Sequence, residues 1–173
     1  LSIAADAMNI NLIDLLKNPQ AVGTLDFHIR SYGQFDPSRN TLVMARGEST
    51  GPGITFEQWV NAFNTFATAA GSNLITLFNN PANGQAIGTV DYFIRAYLNP
   101  DGTTLARGTS VASGNITFAQ WVNVFNTFAS TANVELLGLF NNPANAPAIG
   151  TVDLSIRSYG QFDPSRNTLV MAR

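Results

Sequence analysis

Residues 29–46 read IRSYGQFDPSRNTLVMAR, and residues 156–173 are a letter-for-letter copy of them. A shorter variant, IRAYLNPDGTTLAR, occupies residues 94–107. The chain is therefore built from repeated sequence. Because a repeat unit usually cannot bury its apolar face without a neighbour, the order of the units along the chain constrains the structure more than any single side chain.

The repetition continues on both sides of this stretch. Upstream, AVGTLD at 21–26 returns as AIGTVD at 86–91 and at 148–153, with offsets of 65 and 62 residues. Downstream, the recurring segments are GITFEQWVN (53–61) and GNITFAQWVN (114–123), then LITLFNNP (74–81) and LLGLFNNP (136–143), with a weaker variant LIDLLKNP (12–19). These offsets divide the chain into a terminal half-repeat with a short helix at 1–20, repeat 1 at 21–85, repeat 2 at 86–147 and a terminal half-repeat with a β-hairpin at 148–173.

The segment that the copies share alternates in polarity. From Thr89 to Tyr97, alternate residues are apolar, which predicts a strand with one buried face. The residues on that face are Val90, Tyr92, Ile94 and Ala96. The turn signal NPDG at 99–102 and the residues from Thr103 to Arg107 complete a predicted β-hairpin. In the other two copies the predicted turn is longer, through Phe35–Asn40 and Phe162–Asn167.

A helical period follows each of the first two predicted hairpins. Aromatic residues recur at steps of three, four and three, as Phe56, Trp59, Phe63 and Phe66 and again as Phe118, Trp121, Phe125 and Phe128. This spacing places the rings on one face of an amphipathic helix, where they form the core. Thr55 with Gln58, and Thr117 with Gln120, match the capping box that begins such a helix.

A shorter apolar helix follows each aromatic one. The Asn-Asn-Pro sequences at 79–81 and 141–143 end it, because proline cannot continue the helical hydrogen bonding. The predicted fold class is therefore α+β, with tandem repeats of a β-hairpin followed by an amphipathic helix and a short second helix. The repeats are out of phase at both termini.

Composition excludes several classes of protein. The chain has 173 residues, of which 45% are hydrophobic, and this favours a folded protein over a disordered one. Only 12% are charged and the net charge is −2, so binding of nucleic acid through a basic surface is not expected. No apolar run approaches the roughly 20 residues that span a bilayer. The absence of cysteine excludes disulfides and thiolate chemistry.

Acidic, basic and tyrosine residues recur together. Each copy has an aspartate followed four residues later by an arginine, and a tyrosine two residues further on. We expect an ion-pair network on one face of the sheet, which Arg46, Arg107 and Arg173 join across the turns. The tyrosines lie on the polar side of the predicted strands, where a structural role is favoured over stacking on a sugar or a partner. The candidate interface or ligand contacts are Asp26, Arg30, Tyr32, Asp91, Arg95, Tyr97, Asp153, Arg157 and Tyr159.

No catalytic constellation stands out. His28 is the only histidine, and its counterparts are Phe93 and Ser155, so we interpret it as a tolerated strand residue. The turns at Asp36 and Asp101 lack the dense carboxylates of a calcium loop. We therefore expect that the protein is not an enzyme and has no catalytic, cofactor or metal site.

The phase of the repeats leads to a hypothesis about assembly. Three predicted hairpins are combined with two aromatic helices, so each terminus presents half of an interface. Either the two ends meet within one chain, in a closed pseudo-symmetric domain, or the terminal hairpin of one molecule packs on the N-terminal helix of the next. The low charge and the edge strands of a terminal hairpin favour contact between molecules.

The expected function is that of a structural protein, extracellular or on the cell surface, which polymerises head to tail into a filament or matrix. Its expected partner is therefore a second copy of itself. The alternative is a lectin-like protein with one shallow carbohydrate site per hairpin, around Asp91, Arg95, Tyr97 and their equivalents, and with polysaccharide as its partner. Neither hypothesis involves nucleic acid or a membrane span.

Overall fold

The structure, a computed structural model, describes residues 1–47, 52–108 and 114–171. Helices and small sheets combine in it, so the predicted α+β class is confirmed. The helices are α1 (Ser2–Ala7), α2 (Leu12–Leu16), α3 (Pro19–Tyr32), α4 (Phe56–Ala69), α5 (Leu74–Asn79), α6 (Gly84–Tyr97), α7 (Phe118–Thr131), α8 (Leu136–Asn141) and α9 (Ala146–Tyr159). The strands are β1 (Gly33–Asp36), β2 (Thr41–Met44), β3 (Ile54–Thr55), β4 (Gly160–Asp163) and β5 (Thr168–Met171).

The segments predicted as first strands are helices. Thr89–Tyr97 lies within α6, and its counterparts lie within α3 and α9. The apolar residues that α6 buries follow a helical period: Ala86, Ile87, Val90, Phe93 and Ile94. Tyr92, which the strand prediction places on the buried face, is exposed. The apolar residues of 89–97 fit both the two-residue period of a strand and the 3.6-residue period of a helix. Only the apolar residues that precede this segment distinguish a helix from a strand.

Hairpins do form, but each begins where the predicted first strand ends. β1 pairs with β2 in an antiparallel register that sets Gly33 opposite Met44. β4 pairs with β5 in the corresponding register, with Gly160 opposite Met171. β3 adds a third strand on the outer side of β2.

The middle copy lacks a regular hairpin within the described residues. Its pairing consists of two isolated bridges, Leu98–Leu105 and Thr104–Thr117. The stretch between Tyr97 and Ala106 is shorter than the stretch between Tyr32 and Ala45 in the first copy. The hairpin predicted over residues 89–107 is therefore wrong, because most of its first strand is helical and little chain remains for pairing.

An aspartate organises the turn of the first hairpin. The Asp36 carboxylate accepts hydrogen bonds from the Ser38 N–H at 2.9 Å, from the Ser38 hydroxyl at 2.7 Å and from Arg39 Nε at 2.8 Å. The hydrogen bonds from Arg39 and Ser38 lower the pKa of Asp36 to about 2. Asn40 then adopts the left-handed conformation, with a φ of 51°, which asparagine tolerates better than most residues.

The two aromatic helices lie where the spacing predicts them. α4 and α7 each have 14 residues, and both hydrogen bonds of the predicted capping box are present at each N-terminus. The rings buried in the core are Phe56, Trp59, Phe63 and Phe66 of α4 and Phe118, Trp121 and Phe125 of α7. Burial of each ring contributes roughly 1.5–3 kcal/mol to stability. Phe128 is the exception, because it is only partly buried.

The turns into the short helices follow local rules. Asn9, Gly71 and Asn133 occupy corresponding positions before α2, α5 and α8, and all three have positive φ. Glycine and asparagine are the residues that adopt this conformation most readily. Pro81 and Pro143 begin 3₁₀ turns directly after α5 and α8, so the predicted ends of the short helices are confirmed.

α4 lies at the centre of the fold. It packs against α1 and α7, and it also contacts α5 and α6. The long helices found in place of the predicted strands pack on the short ones, α3 on α5 and α6 on α8. One apolar cluster joins these elements and extends from Ala4 to Ile156. Segments from successive sequence copies are thereby held in direct contact.

The capping boxes provide a test of local stability. We expect Thr117→Ala to lower the free energy of unfolding by about 1 kcal/mol, because the Gln120 N–H loses its side-chain acceptor. Thr127→Ala is the control, since the Thr127 hydroxyl bonds only to the Asn123 carbonyl within the same helix. Urea unfolding of both variants measures the difference, and equal losses would contradict the capping role.

The hairpin turns predict a pH dependence. We expect the Asp36 carboxyl to titrate near pH 2 by NMR. Since its pKa in the folded state lies below the unfolded value of about 3.9, the turn's contribution to stability is complete above that value and is lost as the pH falls toward 2. Arg39→Ala should raise this pKa, because it removes the strongest hydrogen bond to the carboxylate.

Asp163 in the second hairpin is the matched control. Its pKa is also lowered, mainly by the Ser165 hydroxyl, and Arg166 Nε lies 3.5 Å from the carboxylate. Arg166→Ala should therefore change the pKa of Asp163 less than Arg39→Ala changes that of Asp36. Equal changes would show that the hydrogen bond from Arg39 is not the cause.

Candidate functional site: junctions between the sequence copies

A buried ion pair joins the first two sequence copies. Asp91 and Arg95 lie one turn apart on α6, with Arg95 Nε 2.9 Å from Asp91 Oδ1 and Nη2 3.0 Å from Oδ2. Trp59 Nε1 of α4 donates a hydrogen bond to Asp91 Oδ1 at 2.9 Å. The Asp91 carboxylate has little access to water. The bidentate ion pair and the indole N–H supply the hydrogen bonds that it needs.

The other side of the guanidinium is also enclosed. Arg95 lies over the Tyr32 ring, with Cζ 3.6 Å from the ring centroid. Its Nη1 donates to the Ala45 carbonyl at 3.3 Å. We call this set of contacts, formed by Tyr32, Ala45, Trp59, Asp91 and Arg95, junction 1. It connects α3, α4, α6 and the segment that follows β2.

The same contacts recur one copy later. In junction 2, Arg157 bonds to Asp153 at 2.9 and 3.0 Å, and Trp121 Nε1 donates to Asp153 Oδ1 at 2.9 Å. Arg157 lies 3.6 Å over the Tyr97 ring and donates to the Ala106 carbonyl at 3.3 Å. Because residues of different copies meet in the same geometry twice, the junction is a property of the repeated sequence.

A second ring covers each tryptophan. His28 lies 5.2 Å from the Trp59 ring, and Phe93 lies 5.3 Å from the Trp121 ring, measured between centroids. His28 is buried, and its Nδ1–H donates to the Thr24 carbonyl at 2.9 Å. The interpretation of His28 as a strand residue is therefore wrong, because it is a core residue of α3 that packs on junction 1.

Asparagine side chains form two further bridges between sequence copies. Asn141 Oδ1 accepts a hydrogen bond from the Ala86 N–H at 3.0 Å, and its Nδ2 donates to Asn83 Oδ1 at 2.9 Å. Asn79 makes the corresponding bonds to Ala21 and Asn18, at 3.3 and 3.0 Å. Each bridge satisfies a backbone N–H in the first turn of a long helix. Sequence reasoning assigned Asn-Asn-Pro to helix termination and missed this second role.

The first aspartate–arginine pair is in a different environment. Arg30 Nη2 lies 2.9 Å from Asp26 Oδ2, but the side chains are 76% and 50% exposed, against 7% and 5% for Arg157 and Asp153. Both tryptophans of the chain bond to the other two pairs. In the last sequence copy, Tyr159 is 43% exposed, and no guanidinium lies over its ring within the described residues.

We group these incompletely covered side chains of the first and last copies into two sets. We call Leu12, Leu16, Asp26 and Arg30 the N-terminal face, and Val124, Phe128, Tyr159, Phe162 and Met171 the C-terminal face. Leu16 is 53% exposed, whereas its counterparts Phe78 and Phe140 are fully buried. Phe66, the counterpart of Phe128, is buried and lies 5.2 Å from the Phe140 ring. Leu16 and Phe128 are thus less covered than their counterparts in the other sequence copies.

The predicted site residues divide between the junctions and the end faces. Tyr32, Asp91 and Arg95 meet in junction 1, and Tyr97, Asp153 and Arg157 meet in junction 2, while Asp26, Arg30 and Tyr159 lie on the end faces. The predicted ion-pair network on a sheet is wrong, because the pairs lie on helices. Arg46 and Arg107 donate to backbone carbonyls of Arg95 and Gly160, and Arg173 lies outside the described residues.

The described residues also carry two negative findings. No group of three or more metal-ligating side chains comes together among residues 1–47, 52–108 and 114–171. In the same part of the chain, no helix has both the length and the hydropathy that a bilayer crossing requires.

No family model, curated protein or solved structure matches the chain.

The contrast between buried and exposed pairs gives a matched test. Asp153→Ala should lower the free energy of unfolding by about 3–5 kcal/mol, because Arg157 is left buried without its counter-ion. Asp26→Ala breaks a pair of the same spacing in an exposed position and should cost at most about 1 kcal/mol. Urea unfolding measures the loss of free energy of unfolding in each variant. Equal losses would contradict the role of the buried ion pair in junction 2.

Proposed function

We propose that this protein is a structural protein that assembles head to tail, the C-terminal face of one copy packing on the N-terminal face of the next. The proposal treats residues 21–85 and 86–147 as stacked repeat units and the terminal segments as half-units. It places the assembly, a filament or matrix, outside the cell or on its surface. No catalytic activity is part of it.

One observation carries the proposal: a contact that is made twice within the chain has its two halves exposed elsewhere, one in the first sequence copy and one in the last. Inside the chain, an arginine stacks on the tyrosine of the preceding copy at 3.6 Å. Tyr159 is an exposed tyrosine of this kind, and Arg30 is an exposed arginine. A second copy placed by the same rule would bring Arg30 onto Tyr159.

Apolar side chains support the same arrangement. The internal contact between Phe66 and Phe140 has its counterpart in Phe128 of one copy and Leu16 of the next. Phe128 is partly buried and Leu16 is exposed, so their contact would remove apolar surface from water. The net charge of −2 adds little long-range repulsion between copies.

The two faces differ from each other, so the proposed interface is heterologous. Such an interface forms a ring if the rotation between copies closes, and an open filament if it does not. Since each copy would retain one unpaired face after the first contact, growth is expected to continue beyond a dimer. Electron microscopy distinguishes filaments from closed rings.

The carbohydrate-binding alternative has less support. A shallow sugar site around Asp91, Arg95 and Tyr97 requires accessible polar groups, but the Asp91 and Arg95 side chains are only 5% and 10% exposed. Their hydrogen bonds are already used within junction 1. The same holds for Asp153 and Arg157 in junction 2. We therefore do not propose a polysaccharide partner.

Light scattering after size exclusion, over a range of concentrations, tests the assembly. We expect the mean mass to rise with concentration. Tyr159→Ala should weaken association about tenfold, because the ring that receives Arg30 is lost, and Arg30→Ala should have the same effect. Tyr159→Phe retains the aromatic face and should associate nearly as well as the parent chain.

Tyr92→Ala is the control for surface tyrosines, because Tyr92 is 37% exposed on α6 and belongs to neither end face. It should leave association unchanged. A chain that stays monomeric at every concentration would overturn the proposal. So would an equal loss of association in the Tyr92 and Tyr159 variants.

A further inference from the structure

A groove lies between α7 and the second hairpin. Its volume is about 510 Å³, and its lining includes Gln120, Val124 and Phe128 of α7 and Phe162, Leu169 and Met171 of the hairpin. One wall is thus a helix with apolar side chains, and the other is a two-stranded sheet. Four of the lining residues, Val124, Phe128, Phe162 and Met171, belong to the C-terminal face defined above.

The corresponding position in the first sheet is occupied by an Ile-Thr-Phe segment. β3 pairs with the outer side of β2, with Ile54 opposite Met44 and Thr55 opposite Val43. Ile54 and Met44 are fully buried in this arrangement. Phe56 follows immediately as the first residue of α4.

The middle copy repeats this arrangement with shorter pairing. The Leu105 N–H donates to the Ile116 carbonyl at 2.8 Å, and the Phe118 N–H donates to the Thr103 carbonyl at 2.7 Å. Thr117 then caps α7, as Thr55 caps α4. An extended Ile-Thr-Phe segment that continues into a capped helix is therefore what lies against this strand in both copies.

β5 has the same sequence as β2, TLVM, but a different environment. Within the described residues it pairs with β4 only, so its outer edge carries no neighbouring strand. Met171 is 46% exposed, whereas Met44 at the corresponding position is fully buried. An edge strand beside a groove that offers apolar side chains is the arrangement to which proteins add an extended peptide.

We propose that this groove binds an Ile-Thr-Phe-x-Gln-Trp segment of another polypeptide, which adds a strand to β5 and continues as an amphipathic helix along α7. By correspondence with Leu105, the Met171 N–H donates to the carbonyl of the incoming isoleucine. The incoming phenylalanine packs beside Val124 and Thr127, since Phe118 lines a cavity with their counterparts Ala62 and Thr65.

The chemistry of the segment accounts for selectivity. A strand edge alone accepts many peptides, because its hydrogen bonds are made by the backbone. The groove additionally favours isoleucine and phenylalanine at alternate positions, and the threonine and glutamine allow the incoming helix to begin directly after the strand. All of these features occur together in residues 54–59 and 116–121 of this chain.

The segment also brings an indole into the assembly. Inside the chain, the tryptophan of this motif donates to an aspartate of the following copy at 2.9 Å. In a head-to-tail pair, the corresponding acceptor is Asp26 of the second copy, which is exposed and lacks a tryptophan partner within the described residues. This role in assembly rests on the proposed function, whereas binding to the groove can be measured on a single copy.

Fluorescence anisotropy with a labelled synthetic peptide tests the proposal. The peptide GITFEQWVNAFNTFATA reproduces residues 53–69. We expect saturable binding to the intact chain at a ratio of one to one, with NMR shift changes confined to α7 and the second hairpin. A peptide with Ile54→Asp and Phe56→Asp should bind at least about tenfold more weakly, because it places charges beside apolar side chains such as Val124 and Met171.

Variants of the chain locate the site. Met171→Pro removes the donor on the strand edge, and Val124→Asp places a charge on the helical wall, so each should weaken binding about tenfold or more. Val134→Asp is the matched control, since Val134 is 45% exposed and does not line the groove. Circular dichroism confirms that each variant is folded.

The outcomes separate the two proposals. Absence of saturable binding, or equal weakening by Val134→Asp and Val124→Asp, would overturn the groove proposal. Binding to a chain whose mean mass does not rise with chain concentration, with or without the peptide, would support the groove and count against head-to-tail assembly. A peptide-dependent rise in mass that Asp26→Ala abolishes would support both.

Discussion

A guanidinium held between a carboxylate, a tyrosine ring and a backbone carbonyl is the contact on which the packing depends. A charge removed from water is tolerated only when opposite charge and hydrogen bonds replace the solvent. For Arg95 these groups come from α3, the segment after β2 and α6 itself, and Trp59 of α4 donates a hydrogen bond to the carboxylate of the counter-ion. Four elements must therefore be in register at once, and so the polar core specifies how successive copies are oriented.

Identical local sequence does not produce an identical environment here. The Asp-x-x-x-Arg spacing places an ion pair on α3, α6 and α9 alike, yet only the last two pairs are buried. The difference lies in what is packed against the helix, because each buried pair faces a tryptophan. The same holds for TLVM, which is the central strand of a sheet at β2 and an edge strand at β5. Whether a repeated residue is buried or exposed therefore depends on the elements packed against it and not on the repeated sequence itself.

Features that depend on neighbours in sequence were predictable. The aromatic spacing, the capping boxes and the prolines identified α4, α7 and the ends of the short helices, since each involves residues no more than a few turns apart. The strand prediction for Thr89–Tyr97 failed because nine residues fit both periods and their aromatic, β-branched composition favours strands. The junctions could not be derived locally, because each indole bonds to an aspartate 32 residues away. The one available signal was that this separation is the same in both copies.

That 32-residue separation also has a direction, since the acceptor always follows the donor in the chain. During synthesis, Trp59 is added to the chain before Asp91, and Tyr32 is added before Arg95. A newly made segment therefore has its hydrogen-bond donor and aromatic ring in place but must wait for its successor to deliver the charges. Folding should consequently advance from the N-terminus in steps, with each step completing the segment made before it.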